Sequence, residues 1–398
     1  MVSRRRLNFI QPPLIFRQRS RAVILLPRQF HCPERQTVNL CNVTPPPSTA
    51  SPKPATRGAL SQPTNRFVGT ARERDEEFDP AEEPLPRTQF LPDHSLTAIA
   101  WNDSPDIGFR ASLNPYRGCE HGCIYCYARP THEYLGFSSG LDFETRIMVK
   151  GRAPELLHAE LASSKWQPQT IAMSGVTDCY QPVERKLELT RRCLAVLAEF
   201  RNPVGIVTKN RLVTRDIDLL QELARHSAVV VFISLTTLDT ELRRVMEPRT
   251  SPPAARLATI RDLAQADIPV GVLTAPMIPG LNDHELPHLL GAAADAGAQF
   301  AGYVTLRLPY QNKALFEQWL TEHFPLRKDK VLAGIRAVRE GDLNNTEFGT
   351  RMRGTGIFAD QIEKLFEVGC RKAGLNREAL ELSTAAFRRP GGVQLELM

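Results

Sequence analysis

The sequence predicts an α/β fold: a partial, six-unit βα barrel of the TIM type, a mostly helical C-terminal extension and a disordered N-terminal tail. Three observations predict it. Six short β-rich runs recur between residues 109 and 306, and stretches with helical spacing separate them. The first 66 residues differ from everything after them in charge and proline content. Strand, helix and strand in alternation build βαβ units and a parallel sheet. Right-handed crossovers repeated in series wind into a barrel. Six strands are two short of the closed eightfold form.

In chain order, residues 1–66 come first. They hold eleven Lys and Arg against the single Glu34, and ten of the 31 prolines. The chain as a whole is +6, so the rest is net −4. A basic, Pro-rich stretch of this kind buries too little apolar surface to fold. AVILL (22–26) stops at Pro27, short of the ~7–15 residues of a secretory core. The Arg-rich, acid-poor composition resembles an organellar transit peptide, but the prolines oppose the amphipathic helix such a peptide needs. No apolar run reaches the ~18–20 residues of a membrane span. A cytoplasmic protein with reduced cysteines is expected. The mildly acidic remainder removes the simplest argument for a nucleic-acid-binding core.

Residues 67–105, with ERDEEFDPAEE at 73–83, read as an irregular segment wrapped around the outside. The barrel occupies 106–310. Its strands are FRASLN (109–114), QTIAMSG (169–175), VGIVTK (204–209), AVVVFISL (228–235), IPVGVLT (268–274) and FAGYVTL (300–306). Helical patterns between them include 184–200, 217–226 and 253–266. Residues 311–398 read as a helical region, with helices over 314–324, 329–340 and 359–374 and a loop at 348–356.

Chemistry in such barrels gathers at the C-terminal ends of the strands. Those ends are polar here: Ser174, Gly175, Thr177 and Asp178 after the second, Lys209 after the third, Ser234 at the fourth, Thr274-Ala275-Pro276 at the fifth, Arg307 at the sixth. After the first strand comes CEHGCIYC (119–126), with Cys119, Cys123 and Cys126 at C-x3-C-x2-C. Thiolates suit iron–sulfur clusters and zinc. A closed site of either kind takes four ligands, and no fourth cysteine is near. Zinc completed by His121 or Cys179 is one reading. A cubane cluster with one iron left open to a small molecule is the other.

C-x3-C-x-aromatic-C at the end of the first strand of a six-unit βα barrel resembles the radical S-adenosylmethionine (SAM) superfamily. The wider stretch NPYRGCEHGCIYCYARPTHEYLG (114–136), with TDCYQPVE (177–184), TKN (208–210), EPR (247–249) and PGLND (279–283), resembles the spore photoproduct lyase, or DNA-repair-photolyase-like, group. The resemblance implies a [4Fe–4S] cluster on Cys119, Cys123 and Cys126. It implies SAM at the open iron and a 5′-deoxyadenosyl radical that removes hydrogen from a substrate. It sets Tyr125 beside the adenine, and Ser174, Gly175 and Thr177 at the methionine amine. Lys209 and Ser234 fall to the carboxylate or ribose, and the backbone of Thr274, Ala275 and Pro276 to the adenine. An electron donor such as flavodoxin or ferredoxin is the implied partner. A nucleic-acid lesion or base is the first substrate reading; a protein, peptide or small metabolite is the alternative. Cys179 is the candidate hydrogen-atom donor, although that group's cysteine lies before the Thr-Asp pair, where Val176 stands here.

Other residues carry weaker signals. Cys193 and Cys370 sit among apolar residues at helical spacing and read as core. HELPH (284–288) matches a zinc-protease pattern, but Pro287 falls inside it, and a helix start is expected instead. His121 and His132 flank the cysteine loop, where hydrogen bonding to a cluster and loop packing both suit them. The aromatic and basic residues Tyr116, Tyr127, Arg129 and Tyr134 suit base stacking or loop packing. Arg351 and Arg353 are candidates for an anionic substrate. Two other function classes fit the cysteines: a zinc-stabilised nucleic-acid-binding module and an electron carrier indifferent to SAM.

Overall fold

A computed structural model describes residues 57–68 and 86–390. In chain order, β1 is Gln89–Pro92, β2 Ile99–Trp101, β3 Ala111–Leu113, β4 Tyr116–Arg117 and β5 Arg146–Val149. Strands β6 (Ile171–Met173), β7 (Val204–Thr208), β8 (Val229–Ser234), β9 (Val270–Met277) and β10 (Phe300–Thr305) follow. The main sheet runs β10-β9-β8-β7-β6-β3-β2. Its six expected strands, β3 and β6 to β10, pair in parallel in sequence order. That order is the partial barrel the alternation predicts.

The strands alternate as two-sided elements must. Ile171, Val204, Ile206, Val229, Val231, Ile233, Val270 and Val272 join the main core under the helices. Their neighbours Ala172, Gly205, Val207, Phe232, Ser234, Leu273 and Ala275 line the barrel interior. A filled barrel carries bulky branched residues inside. Ala172, Gly205 and Ala301 are too small to fill this one, and a cavity of about 1870 Å³ runs through it.

The outer layer is helical. It includes α1 (Leu141–Thr145), α2 (Ala153–Ala162), α3 (Glu184–Leu187), α4 (Leu189–Phe200), α5 (Ile217–Ala224), α6 (Thr240–Met246), α7 (Pro253–Gln265) and α8 (Leu286–Asp295). After the barrel come α9 (Asn312–His323), α10 (Lys328–Ala337) and α11 (Gly356–Ala373), the helical extension expected. The pattern over 184–200 is two helices, because Glu188 adopts φ 50° and breaks the run.

Two segment boundaries differ from the sequence reading. Residues 57–66, read as tail, pack against the cysteine loop: Gly58 and Ala59 donate their backbone N–H to Glu144 at 3.0 and 2.8 Å. Residues 1–56 of the predicted tail lie outside the described residues, as do 69–85. The segment read as irregular contains two strands. β2 adds antiparallel to β3, and β1 joins β5 and β4 in a three-stranded sheet.

The C-terminal segment floors the barrel. Asn376 N–H donates to Gln299 O, Ser383 to Ser227 and Arg388 to Phe200, at 3.0, 2.8 and 2.9 Å. Those acceptors precede β10, β8 and β7, so the segment crosses the strands' N-terminal ends in turn. The cavity therefore opens at the other end, where the polar strand ends lie. No described helix is long and apolar enough to cross a membrane.

Candidate active site

Cys119, Cys123 and Cys126 lie on the loop after β3, and all three line the cavity. Two glycines let that loop turn. Gly118 and Gly122 sit at φ 81° and 67°, and a Cβ on either would meet His132 or Glu144 within 2.8 Å. Cys119 N–H is held by Phe143 O at 2.9 Å, and Ile124 N–H by Met246 O at 3.1 Å.

Buried carboxylates from four elements brace this loop. Glu144, in α1, pairs with the fully buried Arg129 at 2.5 Å. Arg129 in turn donates to the carbonyls of Gly122 and Cys123, at 3.2 and 2.9 Å. Glu120 accepts from Val183 N at 2.7 Å and pairs with Arg249 at 3.1 Å. Asp178 lies 3.2 Å from His121 Nδ1 and accepts from Thr208 and Lys209 at 2.8 and 2.9 Å. Burial alone would raise the Asp178 carboxyl, but His121 and these donors hold it down to about 2. Glu247 pairs with Arg256 and accepts from Tyr125 Oη and, at 2.7 Å, from Thr236. Against its own burial, Arg256 and Lys209 hold the Glu247 carboxyl down to about 2.

The thiols themselves are pushed up by burial, Cys123 to about 12. The scaffold alone does not make them thiolates; a bound metal has to. Among the described residues, no three Cys, His, Asp or Glu side chains converge to hold one metal ion. That arrangement disfavours zinc. An iron–sulfur cubane spreads its cysteines over different irons and needs no such convergence, so the donor set fits it.

The other predicted residues divide. Tyr125 is buried on the cavity wall, with Lys209 Nζ 5.7 Å from its ring centre. Ser174, Gly175, Ser234, Ala275 and Pro276 line the same cavity. Thr177 also lines it, but its hydroxyl donates to Gly118 O at 2.6 Å and accepts from Gln181 at 3.0 Å. It therefore braces the loop. Thr274 does not face the cavity: its hydroxyl donates to Gly302 O at 3.1 Å, because strand alternation turns it away from Leu273 and Ala275. Cys179 is a correction too. It is fully buried in the main core and is not among the residues that line the cavity, which does not favour it as a hydrogen-atom donor there.

His132 is a packing residue, bonded to Arg146 O at 2.8 Å and pushed down to about 4 by burial. Arg351 and Arg353 are ion-paired, to Asp106 and Glu363. His284 and His288 are exposed, with Pro287 in the first turn of α8. The sequence reading missed Glu144, Arg256 and Glu120 as braces. Glu247 and Arg249 had a signal in the quoted EPR stretch and Glu120 in the quoted cysteine stretch; Glu144 and Arg256 had none.

Comparison with known proteins agrees with this geometry. A family model described as the radical SAM superfamily matches residues 113–293. Uncharacterized protein Rv2578c of Mycobacterium tuberculosis is 40% identical over 235 residues, covering 58% of this chain and 69% of that protein. Uncharacterized protein MJ0683 of Methanocaldococcus jannaschii is 26% identical over 244 residues, covering 57% and 89%. A spore photoproduct lyase complexed with dinucleoside spore photoproduct superposes with TM-score 0.52 at 16% identity, covering 71% of this chain and 79% of that one. At that identity the likeness is one of fold.

Proposed function

The chain belongs to the radical SAM superfamily, which works with a [4Fe–4S] cluster and S-adenosylmethionine, and we propose that Cys119, Cys123 and Cys126 hold the cluster and the barrel cavity holds the substrate. One observation carries this reading. Cys119, Cys123 and Cys126, clustered on one loop, share one cavity wall with the polar ends of β6, β7, β8 and β9. When bound, the cluster supplies the electron that splits SAM into methionine and a 5′-deoxyadenosyl radical, which takes a hydrogen atom from the substrate.

The chain's own residues bind, orient and exclude. Lys209 offers a cation to the methionyl carboxylate and Ser234 a hydroxyl. Tyr125, fixed by Glu247, offers its ring edge beside the adenine, with the backbone at Ala275 and Pro276 opposite. Gly175 and Ser174 border the place of the methionine amine. The barrel wall and the C-terminal floor keep water from the radical. A low-potential donor such as flavodoxin or ferredoxin supplies the electron.

For the substrate we propose a nucleic-acid lesion or modified base. The support is the fold shared with a lyase crystallised with a dinucleoside photoproduct. Anaerobic reconstitution with iron and sulfide, then SAM and dithionite, scores 5′-deoxyadenosine. Cys→Ala at 119, 123 or 126 each abolishes it; product from all three variants refutes the cluster assignment. UV-damaged DNA and tRNA are then screened for stimulated turnover. No response from either shifts the substrate to a protein, peptide or metabolite.

A further inference from the structure

Four arginines packed around the barrel have a carboxylate: Arg129 has Glu144, Arg256 has Glu247, Arg351 has Asp106 and Arg353 has Glu363. Arg307 does not. It lies just past β10 on the cavity wall, half-buried. Among the described residues its Nε has no hydrogen-bond partner, and Nη1 reaches only Met352 Sδ at 3.5 Å. Its guanidinium carbon sits 6.0 Å from the ring centre of Tyr127, the residue after Cys126.

A second cation stands behind it. Arg339 is fully buried and donates to the carbonyls of Thr305 and Leu306 at 2.8 Å, on the chain leading into Arg307. It has no carboxylate either among the described residues. Arg351 is the third, and Asp106 neutralises one charge of the three. Burial and Arg351 hold Arg307 below its ordinary value, and burial and Arg307 push Arg339 down to about 10. An excess of buried and half-buried positive charge beside a cavity, with the buried Nε of Arg307 unpaired, is costly unless an anion compensates it.

We propose that Arg307, backed by Arg339 and Arg351, is an oxyanion-binding site on the cavity wall that takes a carboxylate or phosphate group of the substrate. This rests on the reading of the cavity as the radical site. The site is distinct from the cofactor's own anion contact. Lys209 follows β7 and Arg307 follows β10, with β8 and β9 between them. Three strand spacings of ~4.8 Å put their strands about 14 Å apart along the sheet, so the two cations stand on different parts of the wall. Arg307 also follows the last strand of the sheet, with Asp106 and Met352 beside it on the cavity wall.

The test is calorimetric, on reconstituted enzyme with SAM bound, using thymidine 5′-monophosphate and succinate as separate probes. One probe is expected to bind with unit stoichiometry and to weaken with added salt. Binding of the first alone assigns a phosphate, of the second alone a carboxylate. Arg307→Met is expected to weaken it by at least about tenfold. Arg307→Lys, which keeps the charge but not the fork, is expected to lose about threefold and guards against a variant that fails to fold. The proposal is overturned if neither probe binds the native enzyme, or if Arg307→Met binds it as tightly as native. It is overturned equally if that variant's SAM affinity falls in step, which would give Arg307 to the cofactor. 5′-Deoxyadenosine is scored on the same preparation. Its absence beside intact probe binding would sink the radical reading and leave the anion site standing.

Discussion

Replacing Glu144 by Gln tests whether the cysteine loop is held by buried ion pairs. Both Glu144 and Arg129 are fully buried, 2.5 Å apart. Glu144 Oε2 accepts from Gly58 N and Oε1 from Ala59 N. A glutamine keeps the shape, removes the charge and turns one acceptor into a donor. It leaves Arg129 without a counter-charge and one backbone N–H unmet. Breaking one side of a buried pair costs about 3–5 kcal/mol. At about 1–2 °C per kcal/mol for a chain of this size, the melting point should fall by roughly 3–10 °C. Arg129 also carries the carbonyls of Gly122 and Cys123. The variant should therefore lose iron on anaerobic gel filtration faster than it loses secondary structure. Calorimetry and iron analysis read both. A melting point within about 2 °C of native, with full iron, would refute the brace.

Three further outcomes follow from the site. Cys179→Ala should leave SAM cleavage and substrate turnover at native rates and cost about 1 kcal/mol of stability as a small core cavity; loss of product release from the radical would restore Cys179 to the chemistry. Lys209→Met should raise the SAM dissociation constant about tenfold or more by removing a charge-assisted contact; an unchanged value in equilibrium dialysis removes it from the cofactor site. The Glu247 carboxyl is held down to about 2, from an ordinary value of 4.5. A lowered folded value stabilises above the unfolded one, so its contribution is present above pH 4.5 and is lost as pH falls toward 2. Glu247→Gln should flatten that acid limb of the unfolding free energy, and a limb of native steepness would contradict it.

The barrel was legible because each strand announces itself. VGIVT and VVVFIS are short β-branched runs bounded by turn residues, and their length and composition favour strands over helices. β2 was not legible, since three residues, IAW, carry no period. The tail boundary failed for a physical reason. Charge and proline content mark residues 1–66 alike, but what orders 57–61 is backbone N–H donation to Glu144, more than 80 residues away. The direction of the Thr274 side chain was readable too: if Leu273 and Ala275 face inward, the side chain between them cannot, which leaves its backbone as the part expected at the adenine. Cys179 was chosen by chemistry and by nearness to Asp178, and sequence nearness does not say which way a side chain points.

The braces themselves share a logic that single residues hide. The cysteine loop is held by Glu120, Asp178, Glu144 and Glu247, which come from the loop itself, from the segment after β6, from α1 and from the segment after α6. Four carboxylates around three thiolates would be ruinous alone, because like charges in a low-dielectric site raise one another's pKa. Each is therefore matched by a cation or an imidazole: Arg249, His121, Arg129 and Arg256. The pairs fix the loop from several sides, although Asp178 and Glu247 still help push the Cys119 and Cys123 thiols up. Arg307 breaks that pattern on the cavity wall past β10: among the described residues neither it nor the buried Arg339 behind it has a carboxylate, and an arriving anion would supply the complement.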